Sequence, residues 1–69
     1  MVDYSPLWQK MKSKNITAYK LIHHHDFSQT TLYRMKKNLP VTTDTLAQLC
    51  KILDCQIHDI VRYVPEEEI

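Results

Sequence analysis

Residues 17–38 read TAYKLIHHHDFSQTTLYRMKKN, and this stretch decides the fold. Thr17 and Ser28 belong to the residue types that cap helix N-termini. Each is followed by a segment whose apolar residues recur at helical spacing. We therefore predict helices over 18–24 and 29–37. Two short helices joined by so tight a turn indicate a helix-turn-helix unit.

The turns of this chain must be made without glycine, because the sequence contains none. Asn and Asp tolerate the left-handed backbone conformation better than other residues with a side chain. We therefore expect them at the turns that end or separate the helices: Asn15, Asp26, Asn38 and Asp54. Phe27, which follows the central turn, is predicted to be its buried anchor.

Further helices are predicted on both sides of this unit. Ser5 is expected to cap a first helix over 6–14, with Pro6 at its first position. Thr42 is expected to cap a fourth helix over 43–53, where apolar residues recur at i, i+3, i+4 and i+7. These residues are Leu46, Leu49, Cys50 and Leu53. Gln56 is predicted to open a short fifth helix that ends near Val61 and buries Ile57, Ile60 and Val61.

Residues that favour strands lie at the two ends of the chain: Val2, Tyr4, Tyr63 and Val64. The sequence therefore predicts a mostly α, five-helix domain over 1–69, with a short antiparallel pairing of its terminal strands. A chain of 69 residues is long enough for one domain only. The acidic tail 66–69 is expected to be mobile.

The location predicted for the protein is the cytoplasm. No apolar run approaches the length of a transmembrane helix, and the N-terminus lacks the features of a signal peptide. Cys50 and Cys55 are predicted to be buried, reduced thiols, because they lie in apolar surroundings without a metal or redox spacing.

Charge is divided unevenly along the chain. Residues 10–37 include seven basic residues and one acidic residue, whereas residues 38–69 include two basic and six acidic residues. The basic half contains the predicted helix-turn-helix unit. Such asymmetry is typical of a surface that meets phosphates, although a solvated face could produce it as well.

The predicted helix over 29–37 presents polar side chains near its N-terminus, as a helix in a DNA major groove should. Gln29, Thr30, Tyr33 and Arg34 lie on one side, and the opposite side is apolar. Gln can pair with adenine, Arg with guanine, and the Thr methyl group can contact thymine. The sequence therefore favours double-stranded DNA as the partner.

The pattern resembles the Cro/repressor-type (XRE-like) helix-turn-helix family over nearly the whole chain. The resemblance is carried by residues at the family's spacing: Thr17, Leu21, Asp26, Phe27, Ser28 and Leu32. It implies a lambda-repressor-like domain that acts as a bacterial or phage transcriptional regulator, and in particular as a repressor. It also implies a homodimer that binds a near-palindromic operator.

The resemblance also implies roles for single residues. Gln29, Thr30 and Arg34 match the base-reading positions. The residues assigned to contacts with the DNA backbone are Thr17, Ala18, Ser28, Thr31, Tyr33, Lys36, Lys37 and Asn38. We expect the dimer interface to include Ile57, Val61 and Tyr63.

This chain departs from the family pattern at three places. Asp26 occupies a turn position where the family prefers glycine, and Ile22 is large where a small residue is usual. Family members often pair a Glu of the third helix with an Arg of the first helix. Lys36 and Met11 occupy those positions here, so no buried charge is left without its partner.

Other function classes have weaker support in the sequence. Adjacent helical residues point about 100° apart, so His23, His24 and His25 cannot chelate one metal ion from a regular helix. His25 is expected to be half-buried, and His58 is expected to be solvated. We predict no enzyme activity, cofactor, metal or small-molecule ligand. The alternative that stays open is a protein-binding module, such as an antitoxin or antirepressor with a degenerate helix-turn-helix.

Overall fold

The computed structural model describes residues 1–66, so the predicted mobility of Glu67 and Glu68 lies outside the described residues. Within residues 1–66 the structure contains four α-helices, a 3-10 turn after the fourth helix and a two-stranded sheet. In chain order the elements are β1 (Val2–Asp3), α1 (Ser5–Ser13), α2 (Ala18–His24), α3 (Gln29–Lys36), α4 (Thr43–Leu53), the 3-10 turn (Ile57–Asp59) and β2 (Arg62–Tyr63).

Hydroxyl side chains cap three of the helices, as the sequence predicts. Thr17, Ser28 and Thr42 each accept a hydrogen bond from the backbone N–H three residues further along the chain, at 3.1 to 3.2 Å. The predicted bounds of α2 and α4 are confirmed, whereas α3 ends one residue earlier than predicted.

The start of α1 differs from the prediction. Ser5 lies inside the helix, and Tyr4 occupies the N-cap position. The Asp3 carboxylate accepts hydrogen bonds from both the backbone N–H and the hydroxyl of Ser5, at 3.1 and 2.7 Å. The local cap is therefore supplied by Asp3, because its side chain reaches the first free N–H of the helix.

Each turn predicted to be left-handed has a positive φ angle. The angles are 57° at Asn15, 54° at Asp26, 57° at Asn38 and 50° at Asp54. All four lie immediately after or between helices, where a reversal of the backbone lets the last carbonyl groups find partners. Asn and Asp therefore make the turns for which many proteins use glycine.

The core lies between the four helices and the chain termini. Its buried members come from every α-helix, from the turn between α2 and α3, from the junction of β1 and α1 and from the residue after the 3-10 turn: Tyr4, Leu7, Met11, Leu21, Phe27, Leu32, Met35, Leu49, Leu53 and Ile60. Phe27 is buried, as predicted for the anchor of the central turn.

The predicted fifth helix is wrong, because the chain forms only one 3-10 turn at this place. The Asp59 carboxylate accepts a hydrogen bond from the Gln56 N–H at 3.0 Å and closes the turn. The chain must then extend at Arg62 to join the sheet, which leaves no room for further helical residues. Ile60 is buried and Val61 is half-buried, but Ile57 is 50% exposed, contrary to the prediction that it is buried.

The predicted pairing of the termini is confirmed. β1 and β2 are antiparallel, with Val2 opposite Tyr63 and Asp3 opposite Arg62. The Arg62 guanidinium also binds the Asp3 carboxylate at 2.9 Å. Tyr4, which was predicted to belong to a strand, instead leaves the sheet and enters the core.

The two cysteines lie at the C-terminal end of α4. Both thiols are free, as predicted, but both are half-buried rather than fully buried. The backbone N–H of Cys55 donates to the Cys50 carbonyl at 3.1 Å. Burial raises the pKa of the Cys55 thiol, with a smaller contribution from Cys50 beside it. This pair therefore helps to close the end of α4.

Candidate nucleic-acid interface

The α2–turn–α3 unit is held together from inside. The Phe27 N–H donates to the Leu21 carbonyl at 2.9 Å, which ties the turn to α2. Leu32 and Met35 of α3 are buried against the same core. The apolar side of α3 is therefore fixed, and its other side faces outward.

The outward side of α3 carries the three residues predicted to read bases. Gln29, Thr30 and Arg34 are all exposed, and they lie within the first six residues of the helix. Ser28 caps this helix end, whose remaining free N–H groups favour an anion nearby. The structure thus brings the predicted base-reading residues together on one accessible surface.

Arg34 has a contact that the sequence did not predict. Its guanidinium donates a hydrogen bond to the Pro40 carbonyl at 3.0 Å and so folds back onto the loop after α3. The pair is exposed to solvent, and an exposed hydrogen bond can be exchanged for water at little net cost. Arg34 can therefore leave Pro40 and extend away from the protein.

The residues assigned to backbone contacts occupy more varied environments. Tyr33, Lys36 and Lys37 are exposed, whereas Ala18 and Thr31 are half-buried. The exposed Thr17 and Ser28 both use their hydroxyl groups to cap helices. Tyr33, Lys36 and Lys37 can reach a phosphate directly. Thr17 and Ser28 present helix N-termini to it.

Tyr33 and Lys37 form a pair on the exposed side of α3. The Lys37 ammonium lies 4.7 Å from the centroid of the Tyr33 ring, within the range of a cation–π contact. Tyr33 therefore holds a positive charge at the C-terminal end of α3.

Asn38 is half-buried and joins the loop after α3 to the N-terminal segment. Its Oδ1 accepts a hydrogen bond from the Tyr4 N–H at 3.1 Å, and the Tyr4 hydroxyl donates to the Leu39 carbonyl at 2.9 Å. Burial raises the pKa of the Tyr4 phenol, while the nearby charge of Arg34 acts in the opposite direction. Sequence reasoning missed this role of Tyr4, because the contact joins residues 35 positions apart.

The histidine run lies at the end of α2. The ring of His23 packs on Tyr19 with their centroids 4.4 Å apart, and the ring of His24 approaches the same tyrosine edge-on. His25 is exposed, so the prediction that it is half-buried is wrong. His58 is exposed, as expected. Within residues 1–66, no group of three His, Cys, Asp or Glu side chains is placed to hold a metal ion.

Two of the residues that depart from the expected family pattern differ in burial. Met11 is buried in the core and Lys36 is exposed, so neither position leaves a buried charge without its partner. The described part of the chain also has no helix long and apolar enough to span a membrane.

Comparison with known proteins gives this geometry its context. The chain is similar in structure to the transcriptional regulator VanUg, with a TM-score of 0.84 and 28% sequence identity. The similarity covers 94% of this chain and 87% of that one. Among curated proteins, no match is found. Residues 6–66 match the Cro/C1-type HTH DNA-binding domain. The chain therefore belongs to the Cro/C1-type helix-turn-helix family of DNA-binding domains.

Proposed function

We propose that the chain is a sequence-specific transcriptional regulator, acting as a repressor, that places α3 in the major groove of DNA. The observation that carries this proposal is the exposed polar surface at the start of α3, formed by Gln29, Thr30 and Arg34. A major groove about 12 Å wide admits an α-helix. The buried opposite side of α3 supplies the rigid support that such a reading surface needs.

Each of the three residues suits a different base. Gln29 can form two hydrogen bonds with adenine, and the methyl group of Thr30 can contact thymine. Arg34 can form two hydrogen bonds with guanine once its guanidinium leaves the Pro40 carbonyl. We infer that Arg34 makes this exchange when the protein meets its operator.

Phosphate contacts frame the base-reading surface. Lys36 and Lys37 are exposed at the C-terminal end of α3, and Lys37 is held beside Tyr33. Thr17 and Ala18 present the N-terminus of α2, and Asn38 begins the loop on the other side. Such contacts set the register of a protein on DNA while base contacts set the sequence preference.

We further propose that two copies bind a near-palindromic operator. A single helix in one groove gives limited affinity, and a two-fold pair places two reading helices one DNA turn apart. Ile57 and Tyr63 are 50% and 70% exposed, and Val61 is half-buried beside them. These apolar groups support a contact surface on the side formed by the 3-10 turn and β2.

The test of DNA recognition is selection of binding sites from random double-stranded DNA, followed by affinity measurements on the selected site. We expect enrichment of a near-palindromic sequence. We also expect the logarithm of affinity to fall linearly with the logarithm of salt concentration. Lys37→Ala should flatten that slope by about one unit, whereas Lys51→Ala, which removes an exposed charge of α4, should leave it unchanged.

The alternative is a protein-binding module, which the exposed apolar residues of the 3-10 turn and β2 could also serve. Absence of DNA binding at low salt would contradict our proposal and favour this alternative. Binding with no sequence preference would contradict the assignment of α3 as a reading helix.

A further inference from the structure

The loop over residues 38–41 connects α3 with α4 and is tied to the N-terminal segment. Tyr4 makes two of these ties, through its backbone N–H to the Asn38 side chain and through its hydroxyl to the Leu39 carbonyl. The ring of Tyr4 is only 2% exposed, so both ties start from a fixed point in the core. The loop therefore depends on a residue far from it in the sequence.

A second set of ties reaches the loop from α3. The Arg34 guanidinium binds the Pro40 carbonyl at 3.0 Å, and the Leu39 N–H donates to the Arg34 carbonyl at 3.0 Å. The guanidinium is the group that our proposed function directs toward a guanine. When it turns to the base, the loop loses that tie and keeps the two from Tyr4 and the backbone hydrogen bond from the Leu39 N–H to the Arg34 carbonyl.

The position of Tyr4 is itself well defined. It lies between β1 and α1, where the pairing of Asp3 with Arg62 and the hydrogen bonds from Ser5 to Asp3 hold the backbone on its N-terminal side. We propose that Tyr4 is a positioning residue for DNA binding, which holds the loop against the DNA backbone while Arg34 is engaged with a base. This inference rests on the proposed function.

The test uses Tyr4→Phe, which keeps the buried ring and removes only the hydroxyl that binds Leu39. We expect affinity for the selected operator to fall by up to about fivefold, the limit set by the free energy of one intramolecular hydrogen bond, with the base preference unchanged. Ser13→Ala is the matched control, because it removes a hydroxyl that donates to the Lys10 carbonyl at the far end of α1. Its affinity should equal that of the wild-type protein.

A readout specific to positioning comes from operators in which single phosphates are replaced by neutral methylphosphonates. The phosphates next to the loop are identified with Lys37→Ala: they are the positions at which methylphosphonate replacement no longer lowers the operator affinity of that variant. We expect replacement there to lower the operator affinity of the wild-type protein several-fold. The affinity of Tyr4→Phe should fall by less than about twofold, since phosphate contacts depend on register. At phosphates elsewhere in the operator, both proteins should lose the same affinity.

The outcomes separate this inference from the proposed function. Wild-type protein that binds no DNA overturns both. Two results would overturn only the role of Tyr4 if the wild-type protein binds the operator. One is that Tyr4→Phe loses no affinity, and the other is that methylphosphonate replacement next to the loop lowers the affinity of both proteins equally. If Tyr4→Phe does not fold, Asn38→Gly replaces it, because glycine accepts the positive φ angle and removes the tie to the Tyr4 N–H. Retained phosphate sensitivity in that variant would likewise overturn the inference.

Discussion

Arg34 shows how one side chain can serve both the free protein and the proposed complex. In the structure it completes the loop by binding the Pro40 carbonyl, and in the proposed complex it binds a guanine. Its exposure makes the exchange inexpensive, because water can take over the Pro40 carbonyl. The sequence pattern identified the position, but the resting contact depends on where the loop lies.

Replacing Arg34 tests this assignment directly. Arg34→Ala should weaken operator binding by about 1–3 kcal/mol and relax the preference at one base pair of each half-site. Competition binding against operators with each base at that position measures both effects. Lys51→Ala is the control, because it removes an exposed positive charge from α4 instead of α3. An unchanged base preference in Arg34→Ala would show that another residue occupies the guanine position.

The helices and turns of this protein were largely predictable, because local chemistry defines them. Thr17, Ser28 and Thr42 each satisfy an N–H three residues on, which is an interaction within one helical turn. The left-handed turns need only a residue type that tolerates a positive φ angle. Such signals do not depend on the rest of the fold, and the structure confirms them.

The central turn offers a test of this local logic. Asp26 has a φ angle of 54°, which costs an alanine about 1 kcal/mol. We expect Asp26→Ala to lower the free energy of unfolding by about that amount, and Asp26→Gly to leave it within about 0.5 kcal/mol of the wild-type value. Urea denaturation measures both, with Gln48→Ala on the exposed side of α4 as the control. Equal stability of the alanine and glycine variants would contradict the argument.

Elements that depend on distant contacts were predicted less well. The segment after Asp54 has a helical pattern, yet it forms only a 3-10 turn because Arg62 must pair with Asp3, 59 residues away. Tyr4 has the character of a strand residue, but it turns into the core and binds Leu39. The same limit applied to the candidate site: its exposed α3 residues were predictable, and its ties to the loop were not.

The terminal sheet should make stability sensitive to acid. Hydrogen bonds from Ser5, and then the charge and hydrogen bond of Arg62, lower the pKa of the Asp3 carboxyl. A carboxyl whose pKa is lower in the folded state stabilises the fold above its unfolded pKa, and this contribution is lost as pH falls through the folded pKa. We expect the stabilisation from Asp3 at pH 7 to disappear as pH falls below about 4.

Asp3→Asn isolates the contribution of Asp3. The pKa of the Asp59 carboxyl is also lowered, chiefly by the hydrogen bond from the Gln56 N–H, but Asp59 is present in both proteins and affects them alike. The wild-type protein should melt at a higher temperature than Asp3→Asn at pH 7, and the difference should shrink toward pH 3. A difference in Tm that is the same across this range would assign the effect of the substitution to packing instead of charge.

At the scale of the whole molecule, hydrogen bonds through Tyr4 connect the helix-turn-helix unit to the two-stranded sheet. α3 carries the reading residues, the loop after it is tied to Tyr4, and Tyr4 leads directly into the sheet that contains β2. The exposed residues proposed for dimer contact lie on this sheet and on the adjacent 3-10 turn. A dimer formed there would therefore fix the distance between the two reading helices, because the loop and Tyr4 connect each α3 to the dimer surface.

This arrangement predicts the behaviour of a variant at the dimer surface. The Tyr63 side chain is 70% exposed, so Tyr63→Glu should leave the monomer folded while placing a charge in the proposed interface. Tyr is frequent among residues that dominate interfaces, so dimer affinity should fall at least about tenfold. Tyr19→Glu is the matched control, because Tyr19 is 65% exposed but lies on α2. Sedimentation equilibrium measures association for each protein. A wild-type protein that stays monomeric, or a Tyr63→Glu variant that associates as strongly as Tyr19→Glu, would contradict this interface.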